Sequence, residues 1–280
     1  MMLLKNPVYQ AEVKRQWHVM EQSRSGRLWI LLAIVMVIPA VLTSIVLLVG
    51  ALTGLLPLLE MTFLFIIARG LPPLMSFALV WLVVMNVALT LVVMLVSFGL
   101  SVDSIQREKR GKTWDNLIMT NITARQLVVG KWLASLRALD GDHFMILVLR
   151  LGLFAWFVAG FATQIPPSGI TVTTHVALLT VIVVVFTLLD ALMNTALGVA
   201  VTLLEATGAL SGALFLAVRS VTVAYGIWLI LSIMRRLFDT PGGVYVWQGV
   251  LGLAVYAAAV AGVLALGQVA ATRWALVSPV

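Results

Sequence analysis

Long apolar runs dominate this chain of 280 residues and limit what it can fold into. A helix that crosses the hydrocarbon core of a bilayer needs about 20 consecutive, mainly apolar residues. Hydrophobic residues make up 62% of the chain and charged residues only 10%, too little polar surface for a water-soluble fold. We expect an all-α polytopic membrane protein with six transmembrane helices, over residues 28–50, 75–101, 143–163, 173–203, 208–233 and 247–271.

Two further segments flank the first predicted span. Residues 1–27 lack the short apolar core and cleavage site of a signal peptide, and Pro7 suits a first helical turn. Val13, Trp17 and Met20 share one helical face, so we expect a cytoplasmic amphipathic helix lying at the membrane interface. Residues 51–73 are apolar but broken by glycine and proline. They predict a re-entrant or interfacial element, because non-helical backbone at membrane depth needs protein or water around it.

Basic residues cluster in the N-terminal segment and between the second and third spans, and positive charge gathers on the cytoplasmic side of a membrane. Both termini are therefore predicted to be cytoplasmic, in the inner membrane. The net charge of +7 then reflects topology and attraction to anionic headgroups, and we expect no nucleic acid partner. Arg235 and Arg236 fall on the opposite side, where they either snorkel to the outer headgroups or mark an irregular fifth span. The two basic groups are Lys5, Lys14, Arg15, Arg24 and Arg27, and Arg107, Lys109, Arg110, Lys112, Arg125, Lys131 and Arg137.

The cytoplasmic segment 102–142 has the period of amphipathic helices in two places. Trp114, Leu117 and Ile118 are spaced for one helix, and Leu127, Val128, Lys131 and Trp132 for a second that runs into span three. Thr120, Asn121 and Thr123 between them favour a turn and helix capping. A solvated loop with short helical pieces is the alternative interpretation.

The stretch QREKRGKT, residues 106–113, ends like a phosphate-binding loop. That loop needs G-x-x-x-x-G-K-[ST] between a strand and a helix, whereas Gln106 occupies the first glycine position and a membrane span precedes it. We therefore expect no nucleotide site, no cofactor and no enzymatic activity in this chain. The chain has no cysteine, and His18, His143 and His175 are too scattered to predict a metal site.

Residues 107–132 resemble the coupling region of ABC-2 type transporter permeases, with its elements in the same order along the chain. They read REKRGKTWDNLIMTNITARQLVVGKW. Lys112 separates the glycine from the threonine of that pattern, Asn121 replaces its proline, and Gly130-Lys131 matches its close. The opening NPVYQAEVKRQW is similar to the family's N-terminal pattern, with Glu12 at the acidic position. The resemblance implies a permease with no nucleotide site, driven by a separate ATP-binding-cassette ATPase subunit that holds ATP and Mg, with a second permease subunit beside it.

The resemblance also implies which residues couple the permease to that ATPase. An apolar anchor and a charged rim would dock in a groove on the ATPase. Two threonines of the same segment match the family pattern. The predicted coupling residues are Trp114, Leu117, Ile118 and Met119 (anchor), Glu108, Arg110, Asp115 and Arg125 (rim), and Thr113 and Thr120.

Ionisable residues inside spans are costly, and they face the protein interior or water. Counting helical rise from the inner ends places Asp190 and Arg219 at similar depth, which predicts an ion pair. Arg150 lies shallower, in reach of Glu205, and Asn194 follows Asp190 by one turn. These residues either fix helix packing or line a substrate path. Asn86 and His143 are predicted to form hydrogen bonds between helices.

Export is favoured over import, because nothing in the sequence suggests a docking site for a soluble binding protein. The lack of a large external domain favours a lipid-like or small amphiphilic cargo. Two alternatives stay open: a membrane-embedded lipid-modifying enzyme, for which only Asp140, Asp142 and His143 are candidates, and a non-transporting anchor or regulator of an ATPase.

Overall fold

The computed structural model describes residues 6–22, 35, 37–53, 72–110, 122–162, 172–204, 208–239 and 244–277. These residues form helices and short connections, with no strand among them. The main helices are α1 (Pro7–Gln22), α2 (Ile38–Leu52), α3 (Pro72–Arg110), α4 (Ala124–Ala138), α5 (Asp140–Ala162), α6 (Val172–Leu203), α7 (Gly208–Asp239) and α8 (Val244–Val277).

Four of these helices are long and apolar enough to cross a membrane. They contain the segments Val80–Arg107, Ala177–Leu203, Ala209–Ile233 and Val246–Arg273, which confirms the predicted membrane character. The predicted runs 28–50 and 143–163 overlap α2 and α5, and the count of six spans stays a prediction.

Two other predictions are only partly covered by the described residues. Most of segment 51–73 lies outside them, as do residues 28–34 and 36 of the predicted first span. The backbone of α7 is helical through Arg235 and Arg236 to its end at Asp239. The helix is therefore regular at these two arginines, and the side of the membrane on which they lie stays a prediction.

Helix α6 lies at the centre of the bundle and packs against α3, α4, α5, α7 and α8. Small residues let neighbouring helices approach closely, as is common between membrane helices. A Cβ atom added to Gly152 of α5 would lie 2.2 Å from Cβ of Ser44 in α2. One added to Gly198 of α6 would lie 2.8 Å from Cβ of Ser101 in α3.

The N-terminal helix forms where it is expected but uses another face. The side chain of Asn6 caps α1 by accepting a hydrogen bond from the Val8 amide at 3.0 Å. Val8, Glu12 and Gln16 are buried, whereas Val13, on the predicted apolar face, is only half-buried. The buried face packs on α4, so α1 docks on protein through a face that carries polar residues. The side chains of Trp17 and Met20 lie outside the described set.

One apolar cluster gathers both ends of the chain at one end of the bundle. It joins Val8 of α1, Ile105 of α3, Val128 of α4, Leu203 of α6 and Ala270 of α8. The end of α3, the first turns of α4 and the last turns of α8 therefore share the end of the bundle where α1 docks.

The predicted second helix of segment 102–142 is present as α4. It begins with a capping box in which the Gln126 amide donates to Thr123 Oγ1 at 3.2 Å, and the Thr123 amide donates to Gln126 Oε1 at 2.9 Å. This confirms that Thr123 caps a helix. Residues 111–121, with the predicted first helix and turn, lie outside the described residues.

Candidate functional site

Asp190 holds an ionic cluster together in the middle of the apolar segment Ala177–Leu203. Its Oδ1 accepts a hydrogen bond from Arg219 Nη1 at 2.8 Å, which confirms the predicted pair. Its Oδ2 accepts from Arg150 Nη2 at 3.1 Å. Tyr256 Oη of α8 donates to Oδ1 at 2.9 Å. Four helices, α5 to α8, thus meet at a single carboxylate.

Arg150 corrects the expectation that it reaches Glu205. Its guanidinium is bonded to Asp190 and, at 3.4 Å, to Thr187 Oγ1, and Glu205 lies outside the described residues. Sequence reasoning also missed Tyr256. A tyrosine inside a span is a signal for a polar partner, since a buried phenol needs one, but the sequence does not tell which helix faces it.

The cluster carries an excess of positive charge. Two guanidinium groups, which stay protonated in proteins, share one carboxylate, and the side chain of Arg219 is only 3% exposed. A charge in a low-dielectric interior is costly unless it is paired. The site is therefore electrostatically suited to a further negative group.

Several polar atoms around the cluster are buried without a hydrogen-bond partner among the described residues. All but Asn86 belong to residues that line a small cavity of about 10 Å³, which has room for about one water molecule. Asn86 and His143 were predicted to bond across helices, but Asn86 Nδ2 and His143 Nε2 have no partner here. The unpaired atoms are Asn86 Nδ2, Thr90 Oγ1, His143 Nε2, Asn194 Oδ1 and Arg219 Nε.

A larger cavity of about 410 Å³ adjoins the cluster, between α3, α5, α6 and α7. Arg150, Asp190 and Arg219 contribute to its lining, and most of the rest is apolar. The volume lies within the range of about 300–1,000 Å³ that is usual for ligand pockets.

A second ionic cluster lies where α1, α3 and α4 meet. Glu12 of α1 is bonded to Arg107 Nη2 at 3.0 Å and to Lys131 Nζ at 3.4 Å. Lys131, with 1% of its side chain exposed, also donates to Ser104 Oγ at 2.9 Å and to the Ser104 carbonyl at 3.1 Å. Arg107 additionally pairs with the exposed Asp103 at 3.1 Å. One buried carboxylate thus ties α1 to both helices.

The segment that begins at Asn6 and the segment that ends in Gly130-Lys131, on which the predicted family resemblance rests, contact each other at this cluster. Asn6 Nδ2 donates to the Gln126 carbonyl at 2.7 Å. A Cβ atom added to Gly130 would lie 3.0 Å from Asn6 Nδ2 and from Val8 Cβ, so the glycine allows α1 to sit close to α4. Glu12 and Lys131 complete the contact. The sequence marked these positions separately, but it gave no sign that they touch.

Most of the predicted coupling residues lie outside the residues that the structure describes. Glu108 and Arg110 fall in the last turn of α3, and Arg125 is exposed in the first turn of α4. The remaining ones, Thr113, Trp114, Asp115, Leu117, Ile118, Met119 and Thr120, lie outside the described residues.

The candidate residues of the lipid-enzyme alternative, Asp140, Asp142 and His143, sit in the first turn of α5. The Asp140 carboxylate pairs with Arg137, one turn before it. Within the described part of the chain, no three His, Asp or Glu side chains are grouped so that they could hold a metal ion.

Comparisons of the chain with protein-family models, with curated proteins and with solved structures find no match.

Proposed function

We propose that this chain is the transmembrane permease subunit of an ABC-2 type ATP-binding-cassette exporter. A separate ATPase subunit, which binds ATP and Mg, would dock on segment 102–142 and drive the spans. The observation that carries the proposal is the ionic cluster of Glu12, Arg107 and Lys131, because it fixes both described ends of that segment to one another and to α1.

The contacts of α4 supply a mechanical route from the proposed docking segment to the bundle. Trp132 Nε1 donates to the Leu192 carbonyl of α6 at 3.1 Å, and Leu192 lies two positions from Asp190. Leu127 and Val128 pack in the apolar cluster with Val199 and Leu203 of α6. A push on α4 would therefore be transmitted to the central helix and, through Asp190, to α5, α7 and α8.

The remaining parts of the proposal concern arrangement. Six spans with both termini cytoplasmic fit the shared location of α1, α4 and the end of α8, since the basic residues Arg107, Arg125 and Lys131 belong to that same end. A second permease subunit, identical or related, would complete the translocation path. Within the described part of the chain, the larger cavity beside Asp190 is lined by four helices of this one subunit.

Co-purification tests the ATPase partnership. The tagged chain, extracted in mild detergent from cells that produce it, should carry with it an ATP-binding-cassette ATPase and ATP hydrolysis. Replacing Trp114 and Leu117 by glutamate should abolish both, because charge would destroy the apolar anchor. The variant Arg273→Glu is the control. It changes the net charge by the same amount at an exposed position near the end of α8 and should keep the ATPase.

Two results would overturn the proposal. One is ATPase binding that survives the Trp114→Glu, Leu117→Glu double substitution, and the other is ATP hydrolysis by the isolated chain free of contaminants. Hydrolysis that increases when a transported amphiphile is added distinguishes a permease from an anchor or regulator of the ATPase.

A further inference from the structure

The cavity beside Asp190 is polar at one end and apolar along the rest. On three helices, the lining begins with an ionic residue and continues with mainly apolar ones. These stretches run from Arg150 to Phe154 on α5, from Asp190 back to Ile182 on α6, and from Arg219 through Thr222 to Ile233 on α7. Because α5 and α7 run opposite to α6, these three directions coincide. The cavity is therefore itself amphiphilic, with a charged head region and an apolar body.

The charged end has a positive surplus that no described residue balances. Arg150 and Arg219 share the one carboxylate of Asp190, and Arg219 Nε is buried with no hydrogen-bond partner. Arg219 is 2% exposed. A buried guanidinium forms its strongest hydrogen bonds with anionic oxygen atoms. One additional negative group at this end would bring the site to neutrality.

The described residues leave the apolar body of the cavity open between α3 and α7. These two helices touch through Phe98 and Phe215, whose ring centroids are 4.4 Å apart. That contact lies one turn beyond Met94 and Arg219, where the lining of the cavity ends. On the other side of that contact, Val87 and Val223 line the cavity and are 54% and 44% exposed. Among the described residues, the cavity is therefore accessible from outside between α3 and α7, which suits entry of an apolar molecule from the side.

We infer that this cavity binds a single-chain amphiphile with one anionic head group, its head at Arg150 and Arg219 and its tail along α6 and α7. This inference rests on the proposed function, since it names the chemistry of the cargo. The volume of about 410 Å³ lies in the lower part of the usual range for ligand pockets, which favours one chain over a two-chain phospholipid.

Binding of a long-chain carboxylate tests the inference without any ATPase. The full chain is reconstituted in vesicles of zwitterionic phosphatidylcholine, and radiolabelled palmitate is compared with hexadecanol, a neutral molecule of equal chain length. Palmitate should bind saturably and about tenfold more tightly, because a hydrogen bond between charged groups exceeds a neutral one by roughly that factor. Equal binding of hexadecanol, or no saturable binding, would overturn the inference.

Two positions on α7 provide a matched pair of variants. Val223→Trp reduces the volume of the cavity and keeps every residue of the ionic cluster, and Val221→Trp places the same side chain at an exposed position outside the lining. Val223→Trp should weaken palmitate binding by about tenfold or more, whereas Val221→Trp should leave it unchanged. An equal loss of palmitate binding in both variants would contradict a binding site in this cavity.

Charge dependence is tested at Arg150. The Arg150→Gln variant keeps the bonds of Asp190 to Arg219 and Tyr256 and removes the surplus charge. It should lower palmitate affinity about tenfold and change hexadecanol binding little. If Arg150→Gln does not fold, the comparison of palmitate binding by Val223→Trp and Val221→Trp decides whether the cavity is the binding site. Phosphatidylglycerol, an anionic two-chain lipid, is tested as a competitor of radiolabelled palmitate. If it competes as strongly as unlabelled palmitate, the single-chain assignment is overturned in favour of a bilayer lipid.

The failure of this inference and the failure of the permease proposal can be told apart. Loss of palmitate selectivity removes the inference about cargo but leaves ATPase co-purification intact. Loss of ATPase co-purification removes the permease proposal, while the binding site still stands.

Discussion

At the scale of single residues, the Asp190 carboxylate matters most, since two arginines and a tyrosine depend on it. We predict that Asp190→Asn, which keeps the shape of the side chain, lowers stability by about 3 kcal/mol because it leaves the buried Arg219 and the half-buried Arg150 without a counter-ion. A lower apparent Tm of the purified chain in neutral detergent measures this loss.

The control for this prediction is Arg150→Gln. It leaves Asp190 paired with Arg219, so its Tm should fall much less. The exchanged double variant Asp190→Arg, Arg219→Asp should rescue the single reversals only in part, because Arg150 would then face an arginine. Tm values that are equal for Asp190→Asn and Arg150→Gln would show that the carboxylate does not hold the cluster together.

Half of this cluster could be predicted from the sequence. Charges inside an apolar run must find a partner, and helical rise gives their depth, which is enough to pair Asp190 with Arg219. Depth does not fix rotation about the helix axis or the neighbours of each helix. The contacts of Arg150 and Tyr256 depend on both, so the sequence could not supply them.

At the scale of helices, apolar length predicted the four long membrane helices because covering the hydrocarbon core is a requirement on each segment alone. The docking of α1 was not predicted in the same way. Its buried face carries Glu12 and Gln16, and a periodicity argument that looks for apolar residues assigns such a face to solvent. The partners that make burial acceptable, Arg107 and Lys131, are distant in sequence.

We predict that Glu12→Gln loosens α1 from the bundle. The change leaves Lys131, which is 1% exposed, without its carboxylate, and should weaken docking by about 2 kcal/mol, the value of a hydrogen bond to a charged group. Hydrogen exchange of the backbone amides in α1 measures the loss of protection. Asp103→Asn removes the other partner of Arg107, an exposed pair of little energetic value, and should leave that protection unchanged. Faster exchange in both variants would argue against a specific role of Glu12.

We also predict that Gly152→Ala separates α5 from α2. The added Cβ would lie 2.4 Å from Cα of Ser44, so the backbones must move, at a cost of about 2 kcal/mol. Gly262→Ala in α8 is the matched control, since its Cβ would meet no atom within 4 Å. It should be neutral or raise stability by about 0.5–1 kcal/mol through reduced chain entropy. Thermal unfolding of the two variants in the same detergent gives the comparison, and similar Tm losses would refute the close helix crossing.

At the scale of the whole molecule, the packing of α1, α4 and the end of α8 around one apolar cluster determines which segments share a side of the membrane. The chain contains no cysteine, so a single introduced cysteine can be labelled without background. We predict that Arg125→Cys and Arg273→Cys are protected from a membrane-impermeant maleimide in intact cells and react after permeabilisation. Val244→Cys, at the opposite end of α8, should react in both conditions.

The physical reason for this pattern is that α8 is one continuous helix with an apolar segment from Val246 to Arg273 that is long enough to cross a membrane. This length predicts that its two ends face opposite compartments. The arginines lie at the end that carries most of the basic charge, which favours the cytoplasm. Labelling of Arg125→Cys in intact cells would place segment 102–142 outside, where no cytoplasmic ATPase could reach it, and the proposed coupling would fail. Labelling of Arg125→Cys and Arg273→Cys on different sides would instead contradict the fold, because the two residues belong to helices that pack together at one end of the bundle.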